Sequence, residues 1–226
     1  MEEDIIRTCL AMNENGLNTG KAGNVSARNE AGFMISASGV PYDQMKPSDV
    51  VQMDLEGGYY GDILPSSEWR MHMDIYRARP EAMAVVHTHA PHATAISCLR
   101  KDVPAFHYMI GVTGGATLRC APYASFGTAE LSEAMVEAIE GRNACLLANH
   151  GMICFGPSLE AALALAVEVE ALCQQYILAR QLGKPTILDD AEMQDILRRF
   201  KTYGKQSSEI GADEDPAFLP PVRRDL

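Results

Sequence analysis

The tripeptide His87-Thr88-His89 constrains this chain more than any other stretch. It follows the apolar run Ala84-Val85-Val86, and imidazoles at i and i+2 share one face of a β-strand, where side chains alternate with period two. That geometry can hold one metal ion. A tetrahedral site needs more donors, and imidazoles pair naturally with a third histidine and a carboxylate when one position must stay open. Glu68 upstream and His150 downstream are the candidates. Pairs of this kind also occur as ordinary core or surface histidines, but a second apolar strand ending in Asn149-His150-Gly151 weighs toward the ligand role.

A chain of 226 residues can bury a substantial core without staples, and one domain is expected, ending near residue 204 and followed by a polar tail over 205–226. The formal charge of −11 repels nucleic acid and anionic membranes at long range, so a phosphate-bearing ligand needs a local cationic or amide-lined pocket. Six cysteines lack C-x-x-C spacing and sit mostly in apolar or helical surroundings, which reads as reduced, buried small hydrophobes in an intracellular compartment. The start MEEDIIRTCL is acidic where a signal peptide is basic, and the later apolar runs are interrupted by Glu or His before membrane-spanning length. A cytoplasmic protein is expected, with no nucleic-acid or membrane partner.

Along the chain, spacings near three and four predict an amphipathic helix from about Glu3 to Asn15, stopped by Gly16. Two small-residue loops follow, around Gly20 to Asn24 and at Ser38-Gly39, each readable as a plain turn or as an anion cradle built from backbone N–H groups. Strands are expected at Phe33–Ser36 and Val50–Leu55, with Tyr59–Leu64 returning after Gly57-Gly58. Ser66 or Ser67 reads as the N-cap of the next helix, with Glu68 in its first turn. His92 reads as part of a later helix start rather than of the site. Thr128 caps a helix over Ala129–Ile139, two buried strands flank Asn149-His150-Gly151, and the longest helix runs from Ser158 to about Leu182. The glycine after His150 reads as a position of unusual backbone angles. A last helix covers roughly Asp189 to Phe200, and the end of the tail reads as mobile.

The segments AGNVSAR (22–28), ISASGVPY (35–42), LPSSEWRMH (64–72), AVVHTHAPHATA (84–95), HYM (107–109), CAPYASFGT (120–128), LANHGMICFG (147–156) and FKTYG (200–204) together resemble the class II aldolase/adducin family. The likeness runs from about Thr8 to Gly204. It implies a three-layer α/β/α sandwich around a mixed, largely antiparallel sheet, assembled as a homotetramer with active sites between subunits. It further implies Zn2+ held by His87, His89 and His150, with Glu68 near the metal and acting as the proton-transferring base. Asn24, Ser38, Gly39, Ser66 and Ser67 match the family's phosphate-binding positions. Tyr108 matches a tyrosine contributed by a neighbouring subunit, and Tyr203 one that closes over the site.

The implied reaction is reversible cleavage of a ketose 1-phosphate to dihydroxyacetone phosphate and a small aldehyde. L-Fuculose 1-phosphate and a 5-deoxy- or 5-methylthio-pentulose 1-phosphate both fit. A methylthioribulose-1-phosphate dehydratase and a pentulose-phosphate 4-epimerase share the scaffold; the epimerase typically has Asp at the position of Glu68. A non-enzymatic adducin-like module would lack the histidines that are present here. Lys21 departs from the pattern, since close aldolases often carry a small polar residue there, and the tail after Gly204 is longer than in the plain fuculose enzyme.

Overall fold

Strand β5 (Ala84–Thr88) is buried at every residue and lies near the middle of an eight-stranded sheet in this computed structural model, which describes residues 1–205 together with Ile210 and Gly211. Most of the predicted tail lies outside the described residues. On one side β5 pairs with β1 (Asn24–Asn29), which leads outward to β2 (Gly32–Ser36), β3 (Val50–Met53) and the short β4 (Tyr59–Tyr60). On the other side it pairs with β8 (Gly151–Gly156), followed by β7 (Ala144–Leu147) and β6 (Cys120–Ala121). Every neighbouring pair is antiparallel except β6 with β7, so the sheet is mixed and largely antiparallel, as expected.

Helices cover both faces. One carries α1 (Glu2–Glu14), α3 (Pro91–Ser97) and α5 (Leu159–Leu182); the other carries α2 (Trp69–Ala78) and α4 (Ala129–Ala138). The alternation of β5 divides the two cores: Ala84 and Val86 join the apolar cluster under α1, α3 and α5, while Val85 joins the cluster under α2 and α4. His87, two residues from Val85, therefore faces the α2 side. Each fully buried aliphatic side chain of these clusters contributes about 1.5–3 kcal/mol of transfer free energy. A final helix, α6 (Asp190–Phe200), starts with a capping box between Asp189 and Glu192 and packs near the 3₁₀ segment Tyr108–Thr113.

Some expectations change. The arm after Gly58 pairs only through Tyr59 and Tyr60, so the strand does not reach Leu64. The N-cap of α2 is Glu68, not Ser66 or Ser67; Ser66 Oγ instead accepts the Glu68 N–H at 3.3 Å, and the Glu68 carboxylate is drawn to the sheet. Among the cysteines, Cys9, Cys145, Cys154 and Cys173 are buried, but Cys98 is exposed and Cys120 partly so; none forms a disulfide. Helix α5 is long and apolar enough to cross a membrane by length and composition, and in the structure its Ala162, Ala166, Val169, Leu172 and Cys173 line the core against the sheet.

Candidate metal centre and active site

Three segments distant in sequence deliver the donors. His87 lies in β5 and His89 just beyond its end, His150 precedes β8, and Glu68 stands at the start of α2. Their ligand atoms all lie within 4.8 Å of one another. Glu68 Oε2 is 3.0 Å from His87 Nε2, Glu68 Oε1 is 3.1 Å from His150 Nε2, and His87 Nε2 is 3.1 Å from His89 Nε2. The rings meet edge-on with centroids 4.9 to 5.0 Å apart, so the imidazoles point inward without stacking.

The polar chemistry of this cluster fits a metal ion. His87 Nδ1 lies 2.9 Å from the Met152 carbonyl, which can only accept, so Nδ1 carries a proton and the Nε2 lone pair faces Glu68 and His89. Glu68 Oε1 is buried and receives no hydrogen bond, although His150 Nε2 is close. One proton cannot serve three imidazole nitrogens and two carboxylate oxygens. A multivalent cation can, and tetrahedral zinc bonds of about 2.0–2.1 Å would space neighbouring donors roughly 3.3 Å apart, near the contacts present here. Burial pushes the Glu68 carboxyl upward, but the His87 and His150 imidazoles outweigh it and hold it well below the ordinary range. Burial pushes His87 downward; Glu68 reverses that and raises it. Burial and the neighbouring imidazoles of His87 and His150 push His89 down to about 4.

Backbone features aim these groups. Asn18 Oδ1 accepts the His89 N–H at 2.9 Å and fixes the end of the β5 strand. Gly23 sits beneath it with φ +87°; a Cβ there would lie 2.5 Å from the His87 carbonyl oxygen. At the break before β8 the left-handed residue is Asn149, φ 55°, not Gly151. Gly151 is required for a different reason: a Cβ would lie 2.3 Å from the Thr88 carbonyl oxygen and 3.0 Å from His89 Cδ2. His92 is apart from the cluster, its Nδ1 2.7 Å from Glu170.

One cavity of about 380 Å³ joins the cluster to the small-residue loops. Glu68, His89 and His150 line one part of it, and Asn24, Ser38, Gly39, Ser66 and Ser67 another, with Tyr123, Phe126 and Asn149 also on its wall. Among the described residues Lys21 is its sole lysine or arginine, and its Nζ donates to the Gly39 carbonyl at 2.9 Å. Tyr108 and Tyr203 do not line this cavity. They are 47 % and 59 % exposed, and both contact Phe200, Tyr108 stacked at 6.4 Å and Tyr203 edge-on at 5.2 Å.

The hydrogen bonds behind Glu68 escape a motif-based reading. Asn24 Nδ2 donates to Glu68 Oε2 at 3.1 Å, and Asn24 Oδ1 is 2.5 Å from His72 Nε2. Burial pushes His72 down to about 3, which keeps the ring neutral. The signal available in sequence is the spacing Glu68, His72, Tyr76, one face of α2.

The comparisons with known proteins agree with this geometry. The family model described as "Class II Aldolase and Adducin N-terminal domain" matches residues 3–177. The chain is 52 % identical over 189 residues to a 5-methylthioribulose-1-phosphate/5-deoxyribulose-1-phosphate aldolase of Rhodospirillum rubrum, covering 84 % of this chain and 86 % of the relative. It is 48 % identical over 210 residues to the L-fuculose phosphate aldolase of Escherichia coli K12, covering 92 % and 98 %. A solved structure of an L-fuculose 1-phosphate aldolase superposes with a TM-score of 0.86 at 39 % identity, covering 88 % of this chain and 95 % of that one. Matched by the family model over most of its length and by relatives about half identical to it, the chain belongs to the class II aldolase and adducin family.

Proposed function

We propose that this protein is a zinc-dependent aldolase that reversibly cleaves a ketose 1-phosphate, L-fuculose 1-phosphate or a 5-deoxy- or 5-methylthio-pentulose 1-phosphate, to dihydroxyacetone phosphate and a small aldehyde. The observation that carries this reading is the continuity of one cavity from the four-donor cluster to the loops of Ser38-Gly39 and Ser66-Ser67. A phosphate placed among those groups leaves the carbons of a short sugar beside Glu68. His87, His89 and His150 would hold zinc, which when bound supplies Lewis-acid stabilisation of negative charge on the substrate oxygens.

The residues of the chain do the rest. Cleaving the bond beta to a ketone removes a proton from the beta hydroxyl and leaves an electron pair, later protonated, on the carbon beside the carbonyl. Among the described residues Glu68 is the one carboxylate lining the cavity, and it suits both transfers. Ser66, Ser67 and the Ser38-Gly39 turn supply hydroxyl and amide donors to the phosphate, Asn24 retains a second N–H beyond the one given to Glu68, and Lys21 adds the cation. Tyr108 and Tyr203 are assigned to the cavity of a neighbouring subunit in a homotetramer, a reading supported by their exposure beside Phe200 and their absence from their own cavity.

The test is to incubate the purified, zinc-loaded protein with each ketose 1-phosphate and measure dihydroxyacetone phosphate with a coupled reductase. Release from at least one substrate is expected. Protein that binds zinc but releases none from any of them overturns the reading, and the profile across substrates identifies the aldehyde.

A further inference from the structure

Glu68, His72 and Tyr76 stand at i, i+4 and i+8 on one face of α2, and Asn24 and Ser26 stand at i and i+2 on the facing side of β1. They interlock alternately. Asn24 Nδ2 reaches Glu68 Oε2 at 3.1 Å, His72 Nε2 reaches Asn24 Oδ1 at 2.5 Å, and Ser26 Oγ lies 2.7 Å from both His72 Nδ1 and the Tyr76 hydroxyl. Asn24 is 3 % exposed, Ser26 and His72 0 %, and Tyr76 2 %.

The donor direction is fixed throughout. A carboxylate only accepts, so the Asn24 NH2 faces Glu68 and its Oδ1 is left to accept from His72 Nε2–H. His72 Nδ1 then accepts from the Ser26 hydroxyl, which accepts from Tyr76. Reversing the Asn24 amide would set an oxygen against the Glu68 carboxylate, a buried mismatch that costs about 1–3 kcal/mol. The carboxylate is thereby made unsymmetrical: Oε2 receives the Asn24 N–H, while Oε1 receives none.

We propose that His72 is a positioning residue of this active site, latching the Asn24 amide so that Glu68 is held by Oε2 and presents Oε1 as the oxygen that takes the proton. This rests on the aldolase reading for its effect on turnover, but not for the hydrogen-bond pattern itself.

Three measurements on the full-length, zinc-loaded protein test it. Nitrogen NMR of labelled histidine should find His72 as the Nε2–H tautomer; the Nδ1–H tautomer overturns the proposal without reference to activity or to any variant. His72→Phe should lower kcat by roughly 10- to 100-fold with KM changed less than about twofold, and His72→Gln, which restores a donor to Asn24, should recover most of it. In a Glu68→Gln background His72→Phe should cost less than about twofold further, because its effect passes through that carboxylate. An equal loss of kcat in both backgrounds, the mark of a merely structural role, overturns the proposal. Wild-type protein that releases no dihydroxyacetone phosphate from any ketose 1-phosphate defeats the aldolase reading instead, and the tautomer still decides the network.

Discussion

Replacing Gly151 with Ala should damage the metal centre without touching a ligand. Gly151 is not in the left-handed region, so the effect is steric rather than conformational. The added methyl would sit 2.3 Å from the Thr88 carbonyl oxygen, more than 1 Å inside the roughly 3.5 Å at which such atoms rest, and 3.0 Å from the His89 ring. The contact lies where β5 meets β8, so relief requires the two strands to part, and His89 and His150 ride on either side of that seam. Overpacking of this kind costs about 1–3 kcal/mol in the metal-free protein. Displacing two imidazoles should weaken zinc by a further 10- to 100-fold, the range seen when groups supporting a metal ligand are lost. Under zinc excess that affinity loss removes about 1.4–2.8 kcal/mol of linked stabilisation. Chelator competition measures the affinity, and melting with and without zinc separates the two contributions. A variant that binds zinc as the parent does, however much its metal-free form is destabilised, refutes the steric reasoning.

Other outcomes follow from the same geometry. Glu68→Gln should retain zinc, checked by metal analysis, while turnover falls about 10²- to 10⁴-fold; undiminished turnover rejects Glu68 as the proton carrier. Lys21→Thr should raise KM for a phosphorylated substrate on the order of tenfold with kcat little changed, and should flatten the dependence of KM on salt; a kcat effect alone would place Lys21 elsewhere in the reaction. Co-refolding Glu68→Gln chains with Tyr108→Phe chains should yield more activity than either alone if the cavity is completed by a neighbour, since some mixed sites would then carry both intact groups. Activity no higher than the sum of the parents argues that each chain completes its own site.

The candidate histidines were legible because histidine is scarce in apolar strands and because three segments repeat a family pattern; Glu68, at a helix start where glutamate is common, stood out only through that pattern. The fold layers followed from the same resemblance. What stayed hidden depends on pairing. Asn24 lies opposite His87 only once β1 and β5 are in register, and nothing local in GNVSAR announces it. His72 falls on the buried side of an amphipathic helix between Met71 and Met73, where it reads as core. The N-cap of α2 was misplaced because Ser66 Oγ does accept a backbone N–H there, yet the cap is two residues later, at Glu68, whose carboxylate is drawn away to the histidines. Gly151 was read as a conformational device when it is a clearance device, a distinction that exists only after the Thr88 carbonyl has arrived from the other strand.

The seam between β5 and β8 has a kinetic consequence. His87 pairs with Ile153 and Val86 with Cys154, contacts separated by a long intervening chain that includes α3, α4 and β7. Closing such a loop is entropically late work, and the third histidine stands at its far end. A metal ion held by the three histidines would therefore find its complete donor set only in a nearly native chain. It should act on the unfolding limb, prolonging the lifetime of the folded molecule, while leaving the speed of its formation almost unchanged.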